Sequence, residues 1–222
     1  MKHLCRLNKT SRLLPAIAFV FNTSVFAAEY SAYDIGTLGG GGTFATTLNA
    51  SGQITGNSDT AEGPYHAFIT QANGREISDL GTFGGGNNSY GLGINASGQV
   101  VGAATSKSSL GIIETRSFIT DANGNSMREV VGAANTAASA INDAGRVAGN
   151  INDILFYTGH GVFITGPNGS QPVELSGLIG RGNTATDINA SGQVVGVGYI
   201  DSSLYQHAYI TSSNYTFVSD LG

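Results

Sequence analysis

Ile94-Asn95-Ala96-Ser97-Gly98-Gln99-Val100-Val101-Gly102 is the stretch that decides the fold. Asn-Ala-Ser-Gly reads as a reverse turn, because Asn tolerates positive φ and Gly adopts it without steric cost. The apolar residues on either side then become the two arms of a β-hairpin. Val100 and Val101 are adjacent, so the second arm sends aliphatic groups to both faces of its sheet. A sheet wetted on one face would alternate instead.

Outward from this stretch the pattern recurs. It stands first as Leu48-Asn49-Ala50-Ser51-Gly52-Gln53-Ile54-Thr55-Gly56, then again from Ile141 to Gly149 and from Ile188 to Gly196, in steps of 46, 47 and 47 residues. A second marker keeps pace: His66-Ala67-Phe68-Ile69-Thr70, Arg116-Ser117-Phe118-Ile119-Thr120, Gly161-Val162-Phe163-Ile164-Thr165 and His207-Ala208-Tyr209-Ile210-Thr211. Two independent markers at one period define four repeats.

Each repeat predicts four short strands. The two hairpin arms come first, and a loop of variable length leads to the Phe-Ile-Thr strand. A second turn follows (Ala72-Asn73-Gly74, Ala122-Asn123-Gly124, Pro167-Asn168-Gly169), then a closing strand such as the one near Asp79-Leu80-Gly81. Four-stranded units of this length, apolar on both faces, predict an all-β, propeller-like fold of four repeats, closed or partial. A β-sandwich is the alternative, but it gives no reason for four near-identical units. The repeats are placed at about residues 33–78, 79–130, 131–175 and 176–222, within one domain spanning 28–222. Closing-type strands are predicted at both ends, at Tyr33-Asp34-Ile35-Gly36 and at Ser219-Asp220-Leu221-Gly222. That is one more than a ring of four needs. The ring is therefore expected to be strained, open, completed by self-association through unpaired edge strands, or part of a longer array.

Composition agrees. Glycine supplies 33 of the 222 residues, which disfavours long helices. Lys2, Arg6, Lys9 and Arg12, an apolar run over 13–21, and Val25-Phe26-Ala27 read as a signal peptide cut after Ala27. The apolar run is too short to span a membrane. Cleavage removes the single cysteine and four of the ten basic residues, moving the formal charge from −5 to −9. So acidic a product is a poor ligand for nucleic acid. The expected location is secreted or extracellular, with the periplasm as an alternative.

At these residues the sequence resembles the bacterial probable extracellular HAF-repeat family, named for its His-Ala-Phe tripeptide. The resemblance rests on His66-Ala67-Phe68, the degenerate His207-Ala208-Tyr209, and the Asn-Ala-Ser-Gly-Gln-Val-Val-Gly turns. Asp34-Ile35-Gly36-Thr37-Leu38-Gly39-Gly40 and Asp79-Leu80-Gly81-Thr82-Phe83-Gly84-Gly85 carry it further. Arg116 and Gly161 depart from the pattern at the His position. The resemblance implies export and a repeat scaffold, and brings no enzymatic activity with it. Larger members of such families continue into a sorting tail or an outer-membrane barrel. Neither follows here before Gly222, so a secreted or truncated product is expected.

Little in the chain points to catalysis. No Gly-x-Ser-x-Gly elbow is present. Asp121-Ala122-Asn123-Gly124-Asn125 resembles the start of a calcium loop, but Ser126 stands where that loop needs Gly. No catalytic, cofactor or metal residue is assigned, and no cofactor is expected. Asp34, Asp79 and Asp220 recur at matching positions and would gather at one axial end of a ring, or else cap turns through nearby backbone amides. His66 and His207 would be neighbours in a closed ring and could build a ligand or metal site; the simpler reading is a hydrogen bond from each to a backbone carbonyl.

The expected function is a non-enzymatic binding scaffold for a glycan or a surface protein. Its divergent insertions fall at residues 58–65, 105–115, 151–160 and 198–206, and such loops on a regular scaffold are where recognition resides. His66, Arg116, His207, Tyr65 and Tyr205 form the candidate ligand surface, with Phe156, Tyr157 and Tyr199 as further loop aromatics. A hydrolase or metal-binding propeller with an axial site, or a structural fragment of a longer array, are the competing readings.

Overall fold

The computed structural model describes residues 32–152, 160–200 and 205–222. The expected signal peptide, 1–27, and the aromatics Phe156 and Tyr157 lie outside the described residues. Four antiparallel sheets of four strands make up the fold, each in simple chain order. The first holds β1 (Gly39–Leu48), β2 (Ile54–Thr60), β3 (Tyr65–Thr70) and β4 (Ile77–Gly81). The second holds β5 (Ser89–Ile94), β6 (Val100–Lys107), β7 (Ile113–Ile119) and β8 (Arg128–Glu129). The third holds β9 (Thr136–Ile141), β10 (Val147–Asn152), β11 (His160–Ile164) and β12 (Val173–Glu174). The fourth holds β13 (Ile179–Ile188), β14 (Val194–Tyr199), β15 (His207–Thr211) and β16 (Val218–Asp220). Each sheet holds one copy of both sequence markers, the first running to Gly81, past the boundary placed at 78, so the fold is an all-β, propeller-like array of blades.

Both sequence markers have a local physical cause. The threonine of Phe-Ile-Thr accepts the N–H of the residue that opens the second strand: Ile54 to Thr70, Val100 to Thr120, Val147 to Thr165 and Val194 to Thr211, each at 2.9 Å. The hairpin turn differs in detail from its prediction. Positive φ falls on the glycine alone (Gly52, Gly98, Gly145 and Gly192), not on the asparagine. Asn49 works through its side chain instead, its Oδ1 accepting the N–H groups of Ser51 and Gln53 at 3.0 Å. The second turn stacks on the first: Asn73 N–H donates to the Ser51 carbonyl and Gly74 N–H to that of Gly52.

The glycine that ends each nine-residue pattern is needed for close approach. A Cβ at Gly56, Gly102, Gly149 or Gly196 would overlap a carbonyl oxygen of the neighbouring first strand, that of Phe44, Tyr90, Ala137 or Thr184. In the second and third blades the ring of Phe118 or Phe163 also lies over that glycine.

Blades pack face to face. The downstream face of one, carrying Val101 and Ile119, meets the upstream face of the next, carrying Ala138, Val147 and Phe163. Equivalent cores join Ala67 and Ile69 to Val100 and Phe118, and Ala148, Val162 and Ile164 to Val194 and Tyr209. Within each pair the later first strand (β5, β9 or β13) also runs beside the earlier one. No comparable packing joins β13–β16 to β1–β4 among the described residues. The array is therefore open.

The extra strand predicted at residues 33–36 does not form. No β-bridge forms there, and the first bridge is Leu38 to Thr60. Asp34 takes the N–H of Gly36 on its own carboxylate at 2.8 Å, and among the described residues no third strand precedes it to pair with. The matching segment at the other end does pair, as β16.

Candidate functional site

Because each sheet runs up and down in chain order, its connections divide between two ends. The Asn-Ala-Ser-Gly and Asn-Gly turns lie at one end. The divergent insertions, between second and third strands, lie at the other with the blade-to-blade connectors. Tyr65, His66, Arg116, Tyr205 and His207 all sit on or beside a third strand near this loop end. The topology thus puts the candidate residues on one side of the molecule while leaving them in three different blades.

His66, Arg116 and His207 each have a local acid partner thirteen residues on. His66 Nδ1 is 2.8 Å from Asp79, His207 Nδ1 is 2.7 Å from Asp220, and Arg116 reaches Glu129 at 2.7 Å. Arg116 also holds Glu114 at 2.7 Å. The hydrogen bonds to Glu114 and then to Glu129 raise the Arg116 pKa above its ordinary value. Asp220 is held below the usual carboxylate range, first by His207 and then by the Gly222 amide. The third repeat keeps the acid, Glu174, opposite Gly161. The departure at Arg116 therefore preserves a nitrogen-bearing side chain facing an acid, and only Gly161 loses it.

This pairing revises two expectations. His66 and His207 bond carboxylates, not backbone carbonyls, and they are not brought together, because blades one and four do not pack on each other. Asp79 and Asp220 do not gather at an axis, since β4 and β16 are the outer strands of their sheets. Their role is local: Asp34, Asp79 and Asp220 accept the N–H of Gly36, Gly81 and Gly222 at 2.7–2.8 Å. The segment that resembles a calcium loop is a tight turn, with Asp121 N–H donating to the Asn125 carbonyl at 2.6 Å. Among the described residues no three His, Cys, Asp or Glu side chains cluster as a metal site would require.

Tyr65 stacks on Tyr90 of the next blade, ring centroids 6.4 Å apart and planes 29° from parallel. Both rings stay about two-fifths exposed. Tyr205 is exposed, whereas Tyr199 is half-buried with its N–H on Asn183 Oδ1. The β6–β7 loop adds a feature that sequence reasoning missed. Leu110, Ile112 and Ile113 are 84%, 57% and 53% exposed around Gly111. The available signal was three branched aliphatics about a glycine inside an insertion, where polar turn residues are the norm.

The opposite end carries a cleft of about 510 Å³ between blades one and two, lined by Ser51, Gln53, Thr70, Gln71, Ser78 and Asn123. Its counterpart one blade on is bridged by Arg128, whose guanidinium donates to the Asn168 carbonyl at 2.5 Å. Ser78 holds the register of Arg128, opposite Ile69 as Arg128 is opposite Ile119, and is too short to span the gap.

No helix among the described residues is long and apolar enough to cross a membrane. No protein-family model matches the sequence, and no curated protein does. Solved structures do match. TolB from Acinetobacter baumannii is 13% identical with a TM-score of 0.55, over 78% of this chain and 42% of that one. A putative TolB from Agrobacterium tumefaciens is 10% identical with a TM-score of 0.52, over 77% of this chain and 61% of that one. The chain thus spans about half the length of the structures it resembles, and at such identities the likeness is one of fold: its four blades are similar to part of a β-propeller.

Proposed function

We propose that this chain is an exported, non-enzymatic propeller array that binds a partner protein through its loop end. The carrying observation is the exposed Leu110, Ile112 and Ile113 at the tip of the β6–β7 insertion. Three large aliphatic groups held in water on a hairpin have no role in the blade's own core and suit an apolar pocket on another protein. The stacked Tyr65 and Tyr90 supply an amphipathic surface at the same end. A glycan partner is the second reading, since aromatic rings also stack on sugars, but aliphatic side chains offer a sugar no hydrogen bonds. The resemblance to exported HAF-repeat proteins and the basic-then-apolar N-terminus support export.

Protein and glycan arrays probed with the exported chain test this reading. Binding to a protein target, lost in the triple variant Leu110→Ser, Ile112→Ser, Ile113→Ser while the circular dichroism spectrum is kept, is the expected result. Blank arrays, or binding that the triple variant leaves unchanged, would overturn it. Product recovered outside the cytoplasm and beginning at Ala28 would establish export.

A further inference from the structure

We infer that the cleft between blades one and two receives a guanidinium group from outside the chain, carried by a partner's arginine or by a small compound. The gaps between the other blades supply the comparison. At the turn end the second gap is bridged by Arg128 of β8, whose guanidinium donates to the Asn168 carbonyl of blade three. The third gap also holds a guanidinium. Arg146 Nη1 lies 3.5 Å from the Tyr215 hydroxyl, and a Cβ at Gly192 would come within 2.6 Å of it. The first gap has Ser78 where the second has Arg128, and Gln53 where the third has Arg146. Its cleft of about 510 Å³ is the result.

The receiving group is already in place. Asn123 and Asn168 share one left-handed backbone conformation, with φ and ψ of 57° and 33° in the first and 53° and 37° in the second. Each is tied to the preceding blade by the turn glutamine, Gln53 or Gln99, and by the N–H of the glycine that follows it. The two carbonyls are therefore aimed alike. That of Asn168 takes Arg128, whereas that of Asn123 takes no donor among the described residues. Arg128 forms no ion pair among the described residues, so the carbonyl, not an acid, holds its head. Gln71 and Ala96, which stand where the second gap has Asp121 and Asp143, thus remove nothing that Arg128 uses. The remaining lining suits the same group. A guanidinium is a planar fork of five N–H donors with no acceptor, and the Ser51 and Ser78 hydroxyls and the Gln71 amide offer it oxygens. Buried Ile69 gives the aliphatic stem an apolar wall. Gln71 also donates to Glu76, which sets a carboxylate beside the cleft.

Isothermal titration of the full chain with a blocked Gly-Arg-Gly peptide tests the inference. Gly-citrulline-Gly, of the same shape without the charge, and Gly-Lys-Gly are the controls. The arginine peptide is expected to bind at least about tenfold more tightly than either. Ser78→Arg supplies the head from within, as Arg128 does, and should weaken that binding at least about tenfold. Arg128→Ser opens the second gap and should add a second site. Circular dichroism checks both folds, and where Arg128→Ser does not fold, the exposed Ser78→Arg decides. Ethylguanidinium that binds as tightly as the peptide would assign the cleft to small compounds, and a tighter peptide would assign it to a partner's arginine. Either upholds the guanidinium site. Equal binding of the citrulline peptide, an affinity unmoved by Ser78→Arg, or no saturation by about 10 mM peptide would overturn it. The cleft and the loop end lie on opposite sides, so this titration and the array experiment can fail independently.

Discussion

Asn49 Nδ2 donates to the carbonyl of Asn95 at 3.0 Å, across the boundary between the first two blades. The same side chain closes its own hairpin, with Oδ1 on two backbone amides and Nδ2 also on Gln53 at 2.8 Å. One residue type therefore shapes the turn and ties it to the next repeat. The turn's fourth partner continues the tie: Gln53 reaches Asn123 at 3.2 Å and Gln99 reaches Asn168 at 3.4 Å. The third repeat has Arg146 in place of the glutamine, the fourth has Tyr215 in place of the glycine that follows the second-turn asparagine, and the two side chains are 3.5 Å apart.

The asparagine series yields a graded stability effect. Asn95 is buried and makes hydrogen bonds in both directions. Asn95→Ala should cost about 2–4 kcal/mol, because its partners are left unsatisfied away from water. Asn189→Ala, at an exposed turn that makes no cross-blade bond among the described residues, should cost about 1 kcal/mol. Urea midpoints of the two variants decide the matter, and equal shifts would contradict the cross-blade role.

Close approach at the pattern's last glycine yields another. A Cβ at Gly102 would overlap the Tyr90 carbonyl and crowd the Phe118 ring. Gly102→Ala should cost about 1–3 kcal/mol or more. Gly132→Ala, with nothing within 4 Å of its added Cβ, should stay within about 0.5 kcal/mol. Thermal melts of the pair provide the comparison.

Tyr209 replaces the phenylalanine of the other three repeats and donates its hydroxyl to the Thr184 carbonyl at 3.0 Å. Tyr209→Phe should cost about 1 kcal/mol or less, the net worth of one hydrogen bond, whereas Tyr209→Ala should cost about 3–5 kcal/mol by opening a cavity. Burial pushes the phenol pKa well above its ordinary 10.0. The unfolded chain therefore releases this proton first, and stability falls as pH rises above 10. Alkaline unfolding curves of parent and Tyr209→Phe should diverge there, with the variant less sensitive.

Asp220 offers a site-specific titration. Its carboxylate should ionise below the ordinary 3.8 because His207 and the Gly222 amide stabilise the charged form. The folded value is the lower one, so the pair's stabilisation is present above the unfolded value and lost as pH falls through the folded one. Carbon-detected NMR should show the Asp220 midpoint moving upward in His207→Asn. An unmoved midpoint would leave the ion pair without effect.

Much of this architecture was legible because its causes lie close together in the chain. The threonine of Phe-Ile-Thr and the amide it receives are 16 to 20 residues apart in one repeat, and both belong to the markers that revealed the period. The His66–Asp79 pairing was harder to read. Both residues stood out, but only the antiparallel registry of β3 and β4 shows that they face each other. The aliphatic tip at Leu110 lies in an insertion that reads as a loop, but how far its side chains stand in water is settled only once the strands around it are placed.

The amino-acid sequence by itself determined the four strands of each repeat, the places of the turns and the blade as a unit, because turn chemistry and strand alternation act over a few residues. Tertiary structure alone decided that the described array is open, that His66 and His207 remain apart, and that Asn49, Asn95 and Asn142 each bond across to the next blade. Those outcomes depend on how whole sheets stack and turn relative to one another, and that angle is summed over many side-chain contacts between repeats, so no single motif carries it.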